Sequence, residues 1–287
     1  MNEHLDRSAD SYEPTVLFPE PNDPSVAAFR ENYADKIDGA RVVFEDMPLE
    51  EAARRIREDE VDIVIAGAAH DTPTVVRTAI HHINKVLEPE KRTTITSFFV
   101  MEKDGQDPLF FADCAVHDRP HPDEVVQIAE NTAESVRHLG YEPVVAFLSL
   151  SSFGSAEHLE GVKQVQRAVE KFQAKHPDIV SYGEIQVDAA TNADIFNKKA
   201  KGKVELKDDK MPNIFIFPDG TSGNLSYKWL QMAGYMAMGP KLDGVAKDWH
   251  DLSRGVKPEE LLRDVALSVM LFKQRQQARD TKENPKA

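Results

Sequence analysis

Short segments rich in apolar residues alternate along the chain with longer amphipathic segments. The short segments have the length of β-strands, and several are apolar at nearly every position, as in strands buried on both faces of a sheet. The long segments have a helical period, and Pro48 and Pro122 stand where helices begin. Strands are predicted at Thr15–Phe18, Val42–Phe44, Val61–Ala66, Thr93–Met101, Leu109–Ala115, Val144–Ser149, Ile185–Val187 and Ile214–Phe217. Helices are predicted from Pro24, from Pro48, and at Thr74–Leu87, Pro122–Leu139, Leu159–Lys175, Asp188–Lys199, Asn224–Met236 and Pro258–Arg275.

This alternation of strands and helices predicts the fold class. Parallel strands need crossover connections, and helices usually supply them, so the order favours mostly parallel sheets covered by helices. A total of about nine or ten strands is high for one sheet and favours two α/β lobes. No internal repeat of fixed period occurs. The sequence therefore predicts an α/β protein with two lobes.

Composition and charge exclude several classes of protein and several kinds of ligand. Of the 287 residues, 41% are hydrophobic and 29% are charged, which excludes collagen-like, low-complexity and wholly disordered chains. The net charge is −14. A surface of this charge repels nucleic acid and anionic membranes, so a phosphate-bearing ligand requires a locally positive site.

Three further features bear on the compartment. The single cysteine, Cys114, excludes an intrachain disulfide. The first residues, MNEHLDRSADSYEP, contain no apolar region of a secretory signal. No run approaches the roughly 18 apolar residues of a transmembrane helix. The sequence therefore predicts a cytoplasmic protein.

Loops that follow the predicted strands carry the candidate chemistry, because ligands of open α/β sheets bind at the carboxyl ends of strands. Three loops are rich in Gly, Ser, Thr, Asp or His: residues 67–72, followed by Arg77, then 149–156 and 218–224. Their backbone N–H groups and hydroxyls could stabilise a phosphate or an oxyanion. The same residue types also form ordinary turns and N-caps, and this alternative stays open.

Two more loops contain single residues of interest. Cys114 follows a predicted strand and is interpreted as a small buried hydrophobic residue, since no histidine is placed to activate its thiol. Arg254, between Ser253 and Gly255, could clamp a phosphate or form a surface ion pair. The ten histidines form no HExxH, His-x-His or Cys/His pattern, so no metal site is predicted. No GxGxxG, Walker A or GxSxG motif occurs.

Seven motifs occur in one order along the chain. They are GAAHDT (67–72) with Arg77, FADCAV (111–116), LGYEPVVAFLSLSSFGSA (139–156), GEIQVDAA (183–190), FPDGTSGN (217–224) before Tyr227 and Lys228, Gly239-Pro240, and DLSRG (251–255). In this order they resemble the motifs of the phosphate acetyltransferase/phosphate butyryltransferase (phosphotransacetylase) family. The resemblance covers about residues 60–270, and Thr15–Glu20 fits the family's first strand.

The resemblance implies a fold and a reaction. The fold would be two α/β domains of the isocitrate/isopropylmalate dehydrogenase type, with the active site in the cleft between them, usually as a homodimer. One domain would comprise residues 1–98 plus 240–287 and the other residues 99–239. The reaction would be reversible transfer of an acetyl or other short acyl group between CoA and inorganic phosphate. CoA, acyl-CoA, acyl phosphate and phosphate would be substrates, with no tightly bound cofactor.

The resemblance also implies roles for individual residues. Ser253 would hydrogen-bond the reacting carbonyl or thiol, Arg254 would hold the phosphate, and Glu260 stands where the family has a catalytic aspartate. A positive site would be formed by Arg254, by Arg77 and by the helix N-termini behind Gly154 and Gly223. The candidate substrate-binding residues are His70, Thr72, Arg77, Ser149, Ser151, Ser152, Gly154, Ser155, Asp219, Gly223 and Asn224.

Departures from the family pattern motivate the alternatives. Glu260 displaces the carboxylate by about 1.5 Å relative to an aspartate. Misplacements of about 1 Å can cost about a hundredfold in rate. The chain is also shorter than typical members, mostly between residues 20 and 60, Val144 replaces the usual arginine, and residues 220–222 differ from the family pattern. The alternatives are a catalytically silent acyl-CoA-binding or regulatory protein and, less well supported, a dehydrogenase-like relative.

Overall fold

The computed structural model of the protein describes residues 12–90 and 94–283. Its strands are β1 (Thr15–Phe18), β2 (Arg41–Phe44), β3 (Ile63–Ala66), β4 (Thr96–Glu102), β5 (Leu109–Ala112), β6 (Val144–Leu148), β7 (Val180–Ile185), β8 (Ile214–Ile216), β9 (Met236–Asp243) and β10 (Asp248–Asp251). Its α-helices are α1 (Pro24–Asn32), α2 (Leu49–Arg57), α3 (Thr72–Thr78), α4 (Lys85–Leu87), α5 (Pro122–His138), α6 (Glu160–Lys175), α7 (Val187–Ala190), α8 (Ala193–Ala200), α9 (Gly220–Met232) and α10 (Pro258–Glu283). A π-helical segment, Ala79–Asn84, joins α3 to α4.

The chain divides into two compact units. The first unit comprises Met1–Ile95 and Met238–Ala287, and the second unit comprises Thr96–Ala237. The first is therefore discontinuous in sequence.

The first unit contains a parallel four-stranded sheet in the order β10-β3-β1-β2. Its core joins strand residues such as Val16 and Ile63 to α10, where Leu261 and Val265 are buried four residues apart. That spacing places them on one helical face. Because all four strands run parallel, the loops after β1, β3 and β10 emerge at the same edge of the sheet. We call it the first carboxyl edge.

Strands β4 to β8 of the second unit lie in a sheet with the order β7-β6-β8-β5-β4-β9. Strands β7, β6, β8 and β5 are parallel, whereas β4 is antiparallel to β5. The loops after the four parallel strands therefore emerge at one edge, the second carboxyl edge. A buried cluster that includes Phe99, Phe111 and Phe215 fills the core beside this sheet.

The predicted α/β class with mostly parallel sheets is confirmed. Several element bounds were wrong. The strand predicted at Ile185–Val187 is β7, at Val180–Ile185, and the helix predicted at Asp188–Lys199 is two helices, α7 and α8. The last helix runs on to Glu283 rather than ending at Arg275.

The helix predicted at Asn224–Met236 begins four residues earlier and ends at Met232. Asp219 is its N-cap and accepts a hydrogen bond from the Ser222 amide at 2.8 Å. Asp is among the preferred N-cap residues, because its side chain satisfies an amide that the helix leaves unpaired. The cap therefore outweighs the poor helix propensity of Gly220 and Gly223.

Strands β9 and β10 were missed because their sequences, MAMGPKLD and DWHD, contain charged residues at buried positions. Lys241, in β9, pairs with Asp264 of α10 at 2.7 Å. Arg275 of α10 pairs with Asp243 and Asp248, at the ends of these two strands. Buried charges normally require partners, and these partners lie more than 20 residues away in the sequence.

Candidate active site

Glu20 organises the first carboxyl edge. Its carboxylate lies just after β1, is 8% exposed, and accepts hydrogen bonds from the amides of Gly67, Ala68 and Ala69 at 2.7, 2.9 and 3.2 Å. The sequence left open whether this loop binds an anion or forms an ordinary turn. In the structure, these three amides already bind a carboxylate of the protein.

His70 extends the same arrangement toward solvent. Its Nδ1 atom hydrogen-bonds to the Glu20 carboxylate, while its side chain is 43% exposed. An ionised carboxylate can only accept, so Nδ1 carries the hydrogen and Nε2 of the neutral ring is the acceptor. A buried acid thus holds a partly exposed imidazole in one orientation.

Asp251 lies at the first carboxyl edge, at the end of β10. It is buried, and its carboxylate accepts a hydrogen bond from the Thr72 hydroxyl at 2.5 Å. Burial, aided by the negative charge of Glu20, raises the pKa of Asp251 to about 7, although Thr72 and Arg254 act in the opposite direction. At Gly67 a Cβ atom would lie 2.1 Å from Asp251 Oδ1, and its φ of +105° also favours glycine.

Arg254 and Arg77 lie close enough to one carboxylate to affect its titration. The pKa of Asp71 is lowered mainly by hydrogen bonds from Thr74 and further by the positive charges of both arginines. Both guanidinium groups are exposed. Neither forms an ion pair with any residue in the described parts of the chain. The structure therefore brings these two predicted cations together with His70 and Thr72 at the first carboxyl edge.

Ser253 and Glu260 lie on either side of the start of α10. The Ser253 carbonyl accepts a hydrogen bond from the Val256 amide at 2.9 Å, which forms a turn after β10. The Glu260 carboxylate accepts from the Lys257 amide at 3.0 Å, three residues before it. This is how a glutamate at the third helical position satisfies the N-cap amide. In this structure the Glu260 carboxylate therefore caps the start of α10.

Glu184 plays the same part at the second carboxyl edge as Glu20 does at the first. It is 2% exposed and accepts hydrogen bonds from the Gly154 amide at 2.7 Å, the Ser151 hydroxyl at 2.8 Å and Gln166 at 3.0 Å. The Gly154 amide is therefore not free. The helix predicted to begin at Leu159, behind Gly154, is α6, which begins at Glu160.

The serines of this loop mostly bond to one another and to the neighbouring loop. Ser151 and Ser152 are buried, and Ser152 exchanges hydrogen bonds with Gln186. The Ser155 hydroxyl accepts from the Ser152 amide at 3.0 Å, and Ser149 Oγ accepts from the Ser151 amide at 3.3 Å. Of the four, Ser149 and Ser155 keep exposed surface.

Asp113 organises the loop after β5. Its carboxylate accepts hydrogen bonds from Ser97, from the amides of Ala115 and Val116 at 3.0 and 3.1 Å, and from His117 at 2.7 Å. Burial acts to lower the pKa of His117, but the hydrogen bond to Asp113 and the negative charges of Asp113 and Glu124 together outweigh it, and the pKa is raised.

The start of α9 packs directly on this loop. A Cβ atom at Gly223 would lie 2.6 Å from the Asp113 carbonyl oxygen, so only glycine allows the approach. Asn224 donates to the Cys114 carbonyl at 3.4 Å. Cys114 is buried as predicted, and burial raises the pKa of its thiol. Gly223 lies inside the first turn of α9, so the predicted helix start behind it was wrong.

A groove of about 460 Å³ lies beside the N-terminus of α9. The N-cap Asp219 and Thr221 of α9 line it, together with Arg119 from the loop before α5 and Gln164 from α6. All its lining residues belong to the second unit.

Buried acids were the functional signal that sequence reasoning missed. Glu20, Asp113 and Glu184 each hold a neighbouring loop through charge-assisted hydrogen bonds. Asp113 directly follows β5, and Glu20 lies two residues after the end of β1, so both stand in loops at strand ends. Attention to acids at strand ends, beside the glycines and serines, could have found them.

In the described part of the chain, no helix is both long and apolar enough to cross a membrane. No group of three or more His, Cys, Asp or Glu side chains among the same residues is arranged to hold a metal ion.

Comparison with known proteins decides the family. The family model described as phosphate acetyl/butaryl transferase matches residues 7–269. The chain belongs to this family. The phosphate acetyltransferase of Clostridium acetobutylicum is 36% identical over 230 residues, which cover 78% of this chain and 67% of that protein. That of Paracoccus denitrificans is 35% identical over 233 residues, covering 79% and 71% respectively.

A solved structure agrees with this assignment. The phosphotransacetylase from Streptococcus pyogenes matches with a TM-score of 0.75 and 25% identity over 91% of this chain and 94% of that one. The resemblance found in the motifs is thus confirmed, and the protein is an enzyme of the phosphate acyltransferase type. No comparison favours the catalytically silent alternative.

Proposed function

We propose that this phosphate acyltransferase reversibly transfers an acetyl or other short acyl group between CoA and inorganic phosphate. The observation that carries the proposal is the exposure of the Arg254 and Arg77 guanidinium groups at the first carboxyl edge, where neither forms an ion pair with a described residue. In a chain of net charge −14, two such groups beside one carboxylate form a local site for a phosphate.

The chemistry assigns roles to the neighbouring residues. Arg254 holds the phosphate through its planar, two-pronged donor set. The Ser253 hydroxyl donates to the acyl carbonyl as negative charge develops on its oxygen. Direct transfer needs no covalent enzyme intermediate, so the buried Cys114 stays out of the reaction. We propose the two compact units as the enzyme's two domains.

Thioester formation tests the activity. Purified protein is mixed with CoA and, in separate reactions, acetyl, propionyl and butyryl phosphate, and acyl-CoA is quantified by chromatography. We expect turnover with at least one of these substrates, and the ratio of kcat/KM values identifies the acyl group. Acetyl-CoA binding measured by calorimetry, without turnover on any of the three, would instead support the silent acyl-CoA-binding alternative.

An apolar stripe on α9 supports the homodimer that the resemblance implied. Leu225, Trp229 and Met232 are 54%, 66% and 80% exposed and follow one another at helical spacing on one face. The helix contains no acidic residue and one lysine, Lys228, in a strongly acidic chain. Two copies can therefore pair along this face without repulsion between carboxylates. We propose that the second copy of this chain covers the stripe.

Light scattering coupled to size-exclusion chromatography checks the dimer. We expect a wild-type mass of twice 32.2 kDa and a single-chain mass for the double variant Trp229→Glu/Met232→Glu, because burying two carboxylates would be costly. Val187→Glu, at a 55% exposed apolar residue of α7, is the matched control and should leave the mass unchanged. A single-chain wild type, or a dimeric double variant, would contradict this proposal.

A further inference from the structure

Acyl transfer to CoA requires a base, because a thiol with a pKa of about 8.5 is mostly protonated at neutral pH. The residue in the family's aspartate position, Glu260, already accepts the Lys257 amide at the start of α10. We propose that His70, oriented by Glu20, is the group that takes the proton of the CoA thiol. This inference rests on the acyl-transfer function proposed above and assigns its base.

The orientation of the ring is the first support. Glu20 accepts hydrogen bonds from three backbone amides, so its carboxylate has a defined position. His70 donates from Nδ1 to this carboxylate. Nε2 of the neutral ring then carries the lone pair. A carboxylate behind one ring nitrogen is the arrangement that orients the other nitrogen as a base and stabilises the imidazolium that forms.

Access is the second support. The His70 side chain is 43% exposed, although its partner Glu20 is almost completely buried. No residue in the ranges 12–90 and 94–283 hydrogen-bonds to Nε2. The basic nitrogen is therefore available to a thiol that arrives from solvent.

The third support is the position of His70 among the charged groups of the edge. Glu20 lies behind the ring, and Asp71 follows it in the chain. The charges of Arg254 and Arg77 lower the pKa of Asp71. At the end of β10, the pKa of Asp251 is affected by the charges of both Glu20 and Arg254. Thr72, two residues from His70, bonds to Asp251. The proposed base thus belongs to the same cluster as the proposed phosphate-binding arginines.

The Nε2 lone pair of His70 accepts the proton of the CoA S–H group, and the thiolate attacks the carbonyl carbon of the acyl phosphate. The C–S bond forms, and the bond between that carbon and the phosphate oxygen breaks. The phosphate leaves with the electron pair and finally takes the proton from the imidazolium, so thioester and hydrogen phosphate are the products. In the reverse direction His70 returns the proton to the departing thiolate.

The test compares three variants with the wild type in acyl-CoA formation from pH 5.5 to 9. His70→Gln should lower kcat by about 10²–10⁴-fold, the usual contribution of a general base. Its KM for CoA should change little, because the base acts on bond making rather than on binding. The acidic limb of the wild-type profile should disappear, and the residual rate should rise toward pH 8.5 or so, as the free thiol ionises.

Glu20→Gln keeps the size of the side chain but removes the charge behind the ring. It should lower kcat less than His70→Gln does and should shift the acidic limb to lower pH, which a merely structural effect would not do. His81→Gln is the matched control, at an exposed histidine of the same unit, and should keep both kcat and the profile. Thermal melting of each variant checks folding, and His70→Asn replaces His70→Gln if that variant melts early.

Two results would overturn the inference while leaving the proposed function intact. One is an active wild type whose His70 variants keep kcat within about threefold and retain the acidic limb. The other is loss of that limb in Glu260→Gln but not in His70→Gln, which would assign the base to Glu260. A wild type that forms no thioester from any acyl phosphate would overturn the proposed function and this inference with it.

Discussion

Replacing Arg254 by alanine is expected to lower kcat/KM for acyl phosphate and CoA by about 10²–10³-fold, the usual loss when one preorganised donor to developing charge is removed. The guanidinium group is exposed, forms no ion pair with a described residue, and lies near Asp71 together with Arg77. Its removal leaves the phosphate with half of this positive charge. Steady-state kinetics in both reaction directions measure the effect.

A charge-matched control separates binding of phosphate from a change in net charge. Arg279→Ala removes an exposed arginine from α10 in the same unit and should keep kcat/KM within about twofold, because an exposed charge far from the site is screened by salt. Arg254→Lys should recover only part of the loss, since an ammonium group cannot reproduce the two-pronged contact. Wild-type phosphate KM and kcat in Arg254→Ala would refute the assigned role.

The second large effect concerns the stability of the first unit. Lys241 is completely buried, and its ammonium group bonds to the Asp264 carboxylate at 2.7 Å and the Ser268 hydroxyl at 2.6 Å. Burial lowers the pKa of Lys241, although Asp264 acts against this shift. Asp264→Ala should lower the free energy of unfolding by about 3–5 kcal/mol, because it leaves a buried charge without its partner.

The two tryptophans make this measurement specific. Trp249 is buried in β10 of the first unit, and Trp229 is exposed on α9 of the second. In a Trp229→Phe background, fluorescence during urea unfolding therefore reports on the first unit alone. The double variant Lys241→Met/Asp264→Leu should regain most of the loss, because apolar residues of similar size need no partner. A loss below about 1 kcal/mol in Asp264→Ala would contradict the prediction.

The arrangement of buried acids also explains how a strongly acidic chain can bind phosphate. Glu20, Asp113 and Glu184 bind loop amides of the protein itself. These loops therefore offer no general set of free N–H groups for anions. We therefore propose that positive charge for a phosphate comes from side chains, among them Arg254 and Arg77, which both act on Asp71.

The fold class and the family follow from the amino-acid sequence without coordinates. Alternating strand-length and helix-length patterns predicted β1 at Thr15–Phe18 and placed α5 and α6 to within one residue at their ends. Such local patterns suffice because side-chain period reflects which face of an element is buried. The order of the seven motifs identified the family, since glycines and strand-end polar residues are recognisable without coordinates.

The tertiary structure alone decided which groups are free and which are already bonded. Glu20 lies 47 residues before the Gly67 amide that it binds, and Glu184 lies 30 residues after Gly154. No local pattern links such residues. Strands β9 and β10 likewise contain charged residues that disfavour a buried strand in the sequence. In the folded chain, Asp264 and Arg275 of α10 pair with these buried charges. Hydrogen bonds and ion pairs between distant segments depend on how the chain folds back on itself, so periodicity cannot reveal them.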